Sequence, residues 1–213
     1  MDTATAATTV ALAGPGREAI EARDDPPPGG RPNHAARLLA LAGCGWRDVD
    51  RLAVGLGPGG FTGLRIGIAT ARGLAQAHGI PVVGVSSLAA LARGAEAPGR
   101  IVVGVIDARR GEVFVAAYAD GRDTVLAPGV VAPEALAGHL GGVGPGALAV
   151  GDGAVRYRAQ LEALGSQVPP DDAPEHRIAA VQVCRLGALG EPADLDGLLP
   201  HNLREPDAVP RDR

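Results

Sequence analysis

The chain has 213 residues, enough for one large domain or two small domains with a buried core, and aromatic residues make up only 2% of it. Its formal net charge of −4 is unlike that of a free-standing nucleic-acid-binding domain, which usually carries a basic stripe. All 20 basic residues are arginine, which excludes a Walker-type phosphate lysine, a Schiff base and a lysine general base.

The N-terminal half predicts strands and helices joined by Gly- and Pro-rich loops. Residues 1–7 predict a strand end followed by a turn of small residues. We expect strands at 8–12, 51–56 and 81–85, and helices at about 34–42, 62–77 and 88–94. Asn33 is the expected cap of the first helix, and Ser86 or Ser87 the cap of the third.

The C-terminal half has a different pattern of predicted elements. It predicts a hairpin at 101–121, a strand running into a turn at 147–154, an amphipathic helix ending near 164 and a last helix at 178–189. Strands alternating with helices predict an α/β fold. The break at 97–100 divides the chain into two predicted lobes, 1–99 and 100–213, the second with an extended C-terminal tail.

Cysteine content and hydropathy limit where in the cell the protein is expected. Cys44 and Cys184 form no C-x-x-C unit, so neither a zinc ribbon nor a disulfide framework is indicated, although one disulfide between them stays open. No stretch reaches the length of a membrane span, and the N-terminus lacks a signal-peptide pattern. We therefore expect a cytoplasmic protein with no membrane partner.

The loop "GLGPGG" matches G-x-G-x-x-G through Gly55, Gly57 and Gly60, between a strand and a helix. A dinucleotide site also needs an acidic residue about 20 positions later, and no carboxylate occurs between Asp50 and Glu96. A Walker A loop is excluded as well, since Leu and Arg follow where Lys and Ser or Thr are required. The pattern does not predict a phosphate cradle.

The helix at 62–77 carries a small-residue stripe, Gly63, Gly67, Ala71 and Ala75, on one face. Such a stripe allows very close packing, either on the protein's own sheet or on a helix of another chain with Arg65 and Arg72 at its rim. Under the second interpretation, Gly67→Leu folds normally and loses partner binding.

The stretch "GPGGFTGLRIGIATARGLAQAHGIPVVGVSSLAALA" resembles the signature of the bacterial TsaB (YeaZ-like) family. Four further segments match in the same order: "DTAT", "IDARRGEVF", "GDGA" and "LREPDAV". The resemblance implies an actin/Hsp70-like (ribonuclease H-like) two-lobed fold, with mixed sheets flanked by helices. It also implies a non-catalytic dimerisation subunit of the complex that makes threonylcarbamoyladenosine next to the anticodon in tRNA.

Partners follow from the same resemblance. A TsaD-like paralogue would carry the active site, a TsaE-like protein would supply ATPase activity, and tRNA would be contacted only through the complex. The implied docking helices are those at 34–42 and 62–77, with a homodimer through the same helices as an alternative. The expected partner-binding residues are His34, Leu38, Leu41, Gly63, Arg65, Gly67, Thr70, Ala71 and Leu74.

The sequence departs from the family at its start, where Met1 abuts Asp2 although the family has several apolar residues there. We expect a start codon placed late rather than a truncated strand. The catalytic paralogue's H-x-x-x-H metal motif is also absent, because Leu38 stands four residues after His34. We therefore expect no catalytic residue and no metal site, against the rival of an autonomous ATPase or metallopeptidase-like hydrolase.

Three carboxylates, Asp2, Asp107 and Asp152, fall near strand ends. In an actin-like fold they could face a nucleotide cleft and hold Mg²⁺-phosphate through water. The favoured interpretation is that they cap turns or helices, as Asp commonly does. We expect no resident cofactor, with weak ATP or ADP–Mg²⁺ binding as a subsidiary hypothesis.

Overall fold

The computed structural model describes residues 1–25 and 46–204. The predicted helix at 34–42, Cys44 and the tail from 205 lie outside these ranges. The strands are β1 (Thr8–Gly14), β2 (Arg17–Asp24), β3 (Leu52–Gly57), β4 (Val82–Ser86), β5 (Ile101–Arg109), β6 (Glu112–Ala119), β7 (Asp123–Val131) and β8 (Leu148–Val150). The helices are α1 (Phe61–His78), α2 (Ser87–Gly94), α3 (Leu136–His139), α4 (Asp152–Arg156), α5 (Arg158–Ala163) and α6 (Ala180–Leu189).

The strands form an antiparallel pair β1–β2, a parallel pair β3–β4 and a four-stranded mixed sheet in the order β7–β6–β5–β8. In the larger sheet, β5 lies between antiparallel β6 and parallel β8. Helices cover these sheets, so the predicted α/β class with mixed sheets flanked by helices is confirmed.

Met1 and Asp2 join the two smaller sheets. Asp2 forms an antiparallel bridge with Thr9 of β1, while the Met1 amine donates to the Ala53 carbonyl (2.7 Å) and Gly55 N–H donates to the Met1 carbonyl (2.9 Å). These two residues therefore lie between an antiparallel neighbour, β1, and a parallel neighbour, β3. Strand β5 has the same position in the larger sheet, between antiparallel β6 and parallel β8. The two halves of the chain share this arrangement.

Three apolar clusters hold the layers together. The inner side of α1 packs on β1, β3 and β4 through residues that include Ile68, Ala71 and Val54. A central cluster surrounds α2, whose Leu88 and Leu91 are fully buried. The outer face of the four-stranded sheet is covered by a third cluster from the helical segments that follow it.

The end of the described chain returns to the N-terminal sheet. Helix α6 contacts β1, β3 and β4, Ala193 forms an antiparallel bridge with Val82, and Leu198 joins the cluster under α1. The predicted division into 1–99 and 100–213 did not anticipate this return, because no local pattern in 180–198 shows which sheet the segment will cover.

Two strands, β2 and β7, were not predicted. Both are outer strands, and β7 contains Pro128 and Gly129 while β2 has five charged residues within "REAIEARD". Outer strands bury little surface, so they lack the alternation on which sequence prediction depends, and they tolerate proline.

The C-terminal end of α1 is marked by Gly79, which has the left-handed φ of 65° typical of a helix stop. The ring of Trp46 stacks on the ring of His78 in the last turn, with centroids 4.9 Å apart and planes 13° from parallel. This contact attaches the segment before β3 to the end of α1.

Arg51 caps the end of α6. Its Nη1 donates to the carbonyls of Gly187 (3.0 Å), Ala188 (3.2 Å) and Gly190 (2.8 Å). We expect Arg51→Met to cost about 1 kcal/mol, because these carbonyls lose a charged donor at the negative end of the helix dipole. Thermal unfolding should show a Tm lower by about 2–4 °C. The exposed Arg47, changed to Met in a control, should leave Tm unchanged.

Candidate functional site

The small-residue stripe of α1 faces inward. Gly67, Ala71 and Ala75 are buried, and Thr3 Oγ1 donates to the Gly63 carbonyl (2.8 Å). A Cβ added at Gly63 would overlap the Thr3 carbonyl oxygen, and one added at Gly67 would overlap Thr3 Oγ1. The chain's own N-terminal segment and sheet therefore cover the stripe. The expectation that Gly67→Leu folds normally is contradicted by this contact.

Two of the loop glycines before α1 are explained by the same segment. A Cβ at Gly55 would overlap the Asp2 carboxylate, and a Cβ at Gly59 would overlap the Ala4 carbonyl oxygen. Gly60 N–H also donates to the Ala4 carbonyl (2.6 Å). Contact with the Asp2 side chain thus accounts for Gly55, and the left-handed φ of 94° accounts for Gly57. A Cβ at Gly60, by contrast, would make only ordinary contact with the Ala4 carbonyl oxygen (3.6 Å).

The opposite face of α1 is exposed and largely apolar. The side chain of Phe61 is 61% exposed and that of Ile66 is 40% exposed, while Ala69 and Gly73 are also exposed. A Cβ at Gly73 would meet nothing within 4 Å. Arg65 lies across the Phe61 ring, with Cζ 3.9 Å from the ring centroid, which is cation–π geometry. We call these five residues the outer face of α1.

The expected partner-binding residues divide between the two faces. Arg65 is exposed, and Thr70 is half-buried with Oγ1 donating to the Ile66 carbonyl (2.8 Å). Leu74 is half-buried. Gly63, Gly67 and Ala71 contact the chain's own residues, so their assignment to a free surface is corrected. His34, Leu38 and Leu41 lie outside the described residues.

Phe61, Ile66 and Gly73 were missed by sequence reasoning. The signal was present, because Phe61, Arg65, Ala69 and Gly73 also recur every fourth residue. The helix therefore has two rows at this spacing, and spacing alone does not show which row the protein covers itself.

Asp2 caps the turn between its bridge and β1. Its Oδ1 accepts from Ala4 N–H (2.8 Å) and its Oδ2 from Ser87 Oγ (2.6 Å), and the Ser87 oxygen in turn accepts from Gly57 N–H (3.2 Å). Burial raises the pKa of Asp2, against the effect of the hydrogen bonds from Ser87 and Ala4. The carboxyl group serves the packing of β3 and α2 against the N-terminus.

Asp107 and Asp152 meet at the ends of β5 and β8. Asp152 Oδ1 accepts from Asp107 N–H (3.0 Å), and Asp107 Oδ2 is contacted by Nη1 of Arg156 (3.0 Å) and of Arg109 (3.3 Å). Desolvation and the neighbouring Asp107 carboxylate raise the pKa of Asp152. Asp107 Oδ1 also accepts from Arg109 N–H two residues later (2.9 Å), so Asp107 caps a turn, as favoured from the sequence, whereas Asp152 joins its helix to β5 and makes no side-chain cap.

His176 is buried and orients a glycine turn, a contact that the sequence did not predict. Its Nδ1 accepts from Gly151 N–H (3.1 Å) and its Nε2 lies 3.1 Å from the Pro169 carbonyl, which assigns the proton to Nε2. It holds the glycine turn that leads from β8 to Asp152. No sequence spacing connects His176 to this turn.

Within residues 1–25 and 46–204, no group of three or more His, Cys, Asp or Glu side chains has an arrangement that could hold a metal ion. In the same part of the chain, no helix combines the length and the apolar character that crossing a membrane requires.

Comparison with known proteins places this geometry in a family. A family model described as "TsaD: tRNA N6-adenosine threonylcarbamoyltransferase" matches residues 32–160. An uncharacterised protein of Mycobacterium tuberculosis is 43% identical over 185 residues, which cover 83% of this chain and 78% of that protein.

Sequence matches over shorter segments and matches to solved structures indicate the same family. The tRNA threonylcarbamoyladenosine biosynthesis protein TsaB of Escherichia coli is 46% identical over 83 residues, 38% of this chain and 36% of that protein. A crystal structure from Pseudomonas aeruginosa, described as an uncharacterised protein similar to the peptidase YeaZ, superimposes with a TM-score of 0.75 at 32% identity. It covers 95% of this chain and 97% of that one.

Proposed function

The chain belongs to the TsaD-related family and, within it, to the TsaB (YeaZ-like) proteins, and from this membership we propose that it acts in threonylcarbamoyladenosine formation on tRNA as a non-catalytic subunit. It docks a TsaD-like catalytic paralogue, with a TsaE-like ATPase completing the complex. The acceptor is the adenosine next to the anticodon, and tRNA is contacted through the assembled complex.

The outer face of α1 carries this proposal. Phe61 and Ile66 expose apolar surface, which favours association because docking removes it from water. Ala69 and Gly73 leave the helix flat between them, so that a partner helix can approach closely. Arg65, already positioned on the Phe61 ring, supplies a charged rim.

The carboxylates support a non-catalytic role. The Asp2 carboxylate accepts hydrogen bonds from Ser87 and Ala4, and that of Asp152 accepts one from the backbone of Asp107. The Asp107 carboxylate forms ion pairs with two arginines. A general acid or base must reach its substrate, and a carboxylate engaged in such contacts has to break them first. These contacts support the proposal that the partner carries the chemistry.

The test is co-elution of this chain with the TsaD-like protein of the same genome in size-exclusion chromatography. The wild-type chain should co-elute with the partner, and Gly73→Arg should abolish co-elution while retaining the far-ultraviolet circular dichroism of the wild type. Gly73 is suitable because an added Cβ meets no atom of the folded chain within 4 Å. With TsaE, ATP and the other substrates, modified tRNA should form only when both proteins are present.

Two controls sharpen the result. Val125→Arg introduces the same charge at another exposed apolar position, in β7, and should leave co-elution intact. Gly73→Ala should also retain it. A chain that modifies tRNA without the partner would instead be an autonomous enzyme, and self-association that blocks partner binding would make it a homodimeric module.

A further inference from the structure

A surface cavity of about 580 Å³ lies between the end of α2, the loop at 97–99, the β6–β7 turn and helix α6. Its volume is in the range of small-molecule sites, about 300–1,000 Å³. Helix α1 does not line it, so it is separate from the docking face proposed above.

Three arginines from three different elements line the cavity: Arg93 of α2, Arg122 of the β6–β7 turn and Arg185 of α6. Within the described residues none of the three guanidinium groups has an ion-pair or hydrogen-bond partner. Burial and then the positive charges of Arg122 and Arg185 lower the pKa of Arg93, so the Arg93 guanidinium group lies close enough to the other two to be repelled by them. An oxyanion among them would relieve this repulsion.

A buried polar group faces the same cavity. Gln182 is only 5% exposed and lines the cavity beside Arg185, yet its Oε1 has no hydrogen-bond partner among the described residues. A buried acceptor left unpaired is costly and rare in folded proteins. A hydrogen-bond donor on a ligand would satisfy it if the amide rotated toward the cavity, because the oxygen itself is closed off from solvent.

We propose that this cavity binds a small ligand whose phosphate or carboxylate group is held by Arg93, Arg122 and Arg185, and whose hydroxyl or amine donates to Gln182. Asp120 and Glu96, on the same lining, reduce its formal charge to +1. A net charge of this size favours one compact oxyanion over a stretch of RNA backbone, because RNA affinity increases with the number of cations that contact phosphates. One oxygen of Asp120 already has a partner within the protein, since Oδ1 accepts from Gly99 N–H (2.5 Å).

The test is isothermal titration calorimetry of the full chain with glycerol 3-phosphate, glycerate and inorganic phosphate, all at low ionic strength. We expect saturable binding of glycerol 3-phosphate or glycerate, and the stronger of the two identifies the oxyanion as phosphate or carboxylate. Arg93→Gln should weaken that binding by about tenfold or more, the loss expected for one charged hydrogen bond. Arg177→Gln, at an exposed arginine outside the cavity, should bind as the wild type does.

Gln182→Leu separates the two halves of the site. It keeps the packing of α6 and should weaken the preferred hydroxyl-bearing probe while leaving any heat from inorganic phosphate unchanged. The proposal is wrong if none of the three probes saturates at millimolar concentration, or if Arg93→Gln and Arg177→Gln behave alike. It is equally wrong if a single-stranded RNA oligonucleotide binds in an Arg93-dependent way while the small probes do not.

Discussion

Gly63→Ala is expected to destabilise the folded chain by about 2–3 kcal/mol, although alanine favours helix over glycine by about 1 kcal/mol. The added Cβ would overlap the carbonyl oxygen of Thr3, which is backbone and has no rotamer to escape into. Thr3 cannot move aside readily because Asp2 is bridged to Thr9 and the Ala4 carbonyl accepts from Gly60. The N-terminal segment would have to leave α1.

The matched control lies in the same helix. Gly73→Ala makes the same chemical change where the Cβ meets no atom within 4 Å, so it should stabilise the chain by about 0.5–1 kcal/mol. Urea unfolding followed by circular dichroism measures both values. Equal effects at the two positions would show that Thr3 does not cover the inner face of α1.

The second large effect is expected at Asp2. Asp2→Ala should cost about 3 kcal/mol, since it leaves the Ser87 hydroxyl and the Ala4 N–H buried without their acceptor. Asp2→Asn keeps the shape and one carbonyl acceptor, so we expect it to lose less than half as much. The measurement is again urea unfolding at neutral pH, with an unchanged m-value confirming that the folded state is the same.

Asp2 should also contribute a pH dependence. Burial raises its pKa in the folded chain above the ordinary value of about 3.9, so the folded state holds the proton more tightly than the unfolded state. Its contribution to stability is therefore present at low pH and is lost as the pH rises from about 4 through the folded-state pKa. The stability of the wild type relative to Asp2→Asn should fall across this range and then become constant.

The Met1 amine is coupled to this titration. Burial lowers the pKa of the amine and the Asp2 carboxylate raises it, so Asp2→Asn removes that second effect and the measured difference includes the response of the amine. A difference between wild type and Asp2→Asn that rises with pH would mean that the hydrogen bonds from Ser87 and Ala4 outweigh the burial of the carboxyl group.

The sequence predicted the elements whose pattern is local. Helix α1 was expected at 62–77 and runs from Phe61 to His78, and the strand expected at 51–56 is β3, Leu52–Gly57. Both have strong apolar content and clear Gly or Pro boundaries. The capping role of Ser86 also follows from local chemistry, and its Oγ accepts from Ala89 N–H (3.3 Å).

What covers each face could not be predicted. The four-residue spacing identified the row containing Gly63 and Gly67, but Thr3, which covers it, is 60 residues away from Gly63 in the chain. The same limit applies to the arginine cavity, which unites α2, the β6–β7 turn and α6 only after folding. Spacing defines a face, whereas tertiary structure decides whether that face is buried.

The stacking of Trp46 on His78 makes the protein its own optical reporter. Trp46 is the only tryptophan of the chain, so all indole fluorescence originates where the segment before β3 meets the last turn of α1. A partner that docks along α1 would alter the surroundings of this one fluorophore. Emission can therefore follow complex formation in a titration of the unlabelled chain, provided that the partner's own tryptophan signal is subtracted.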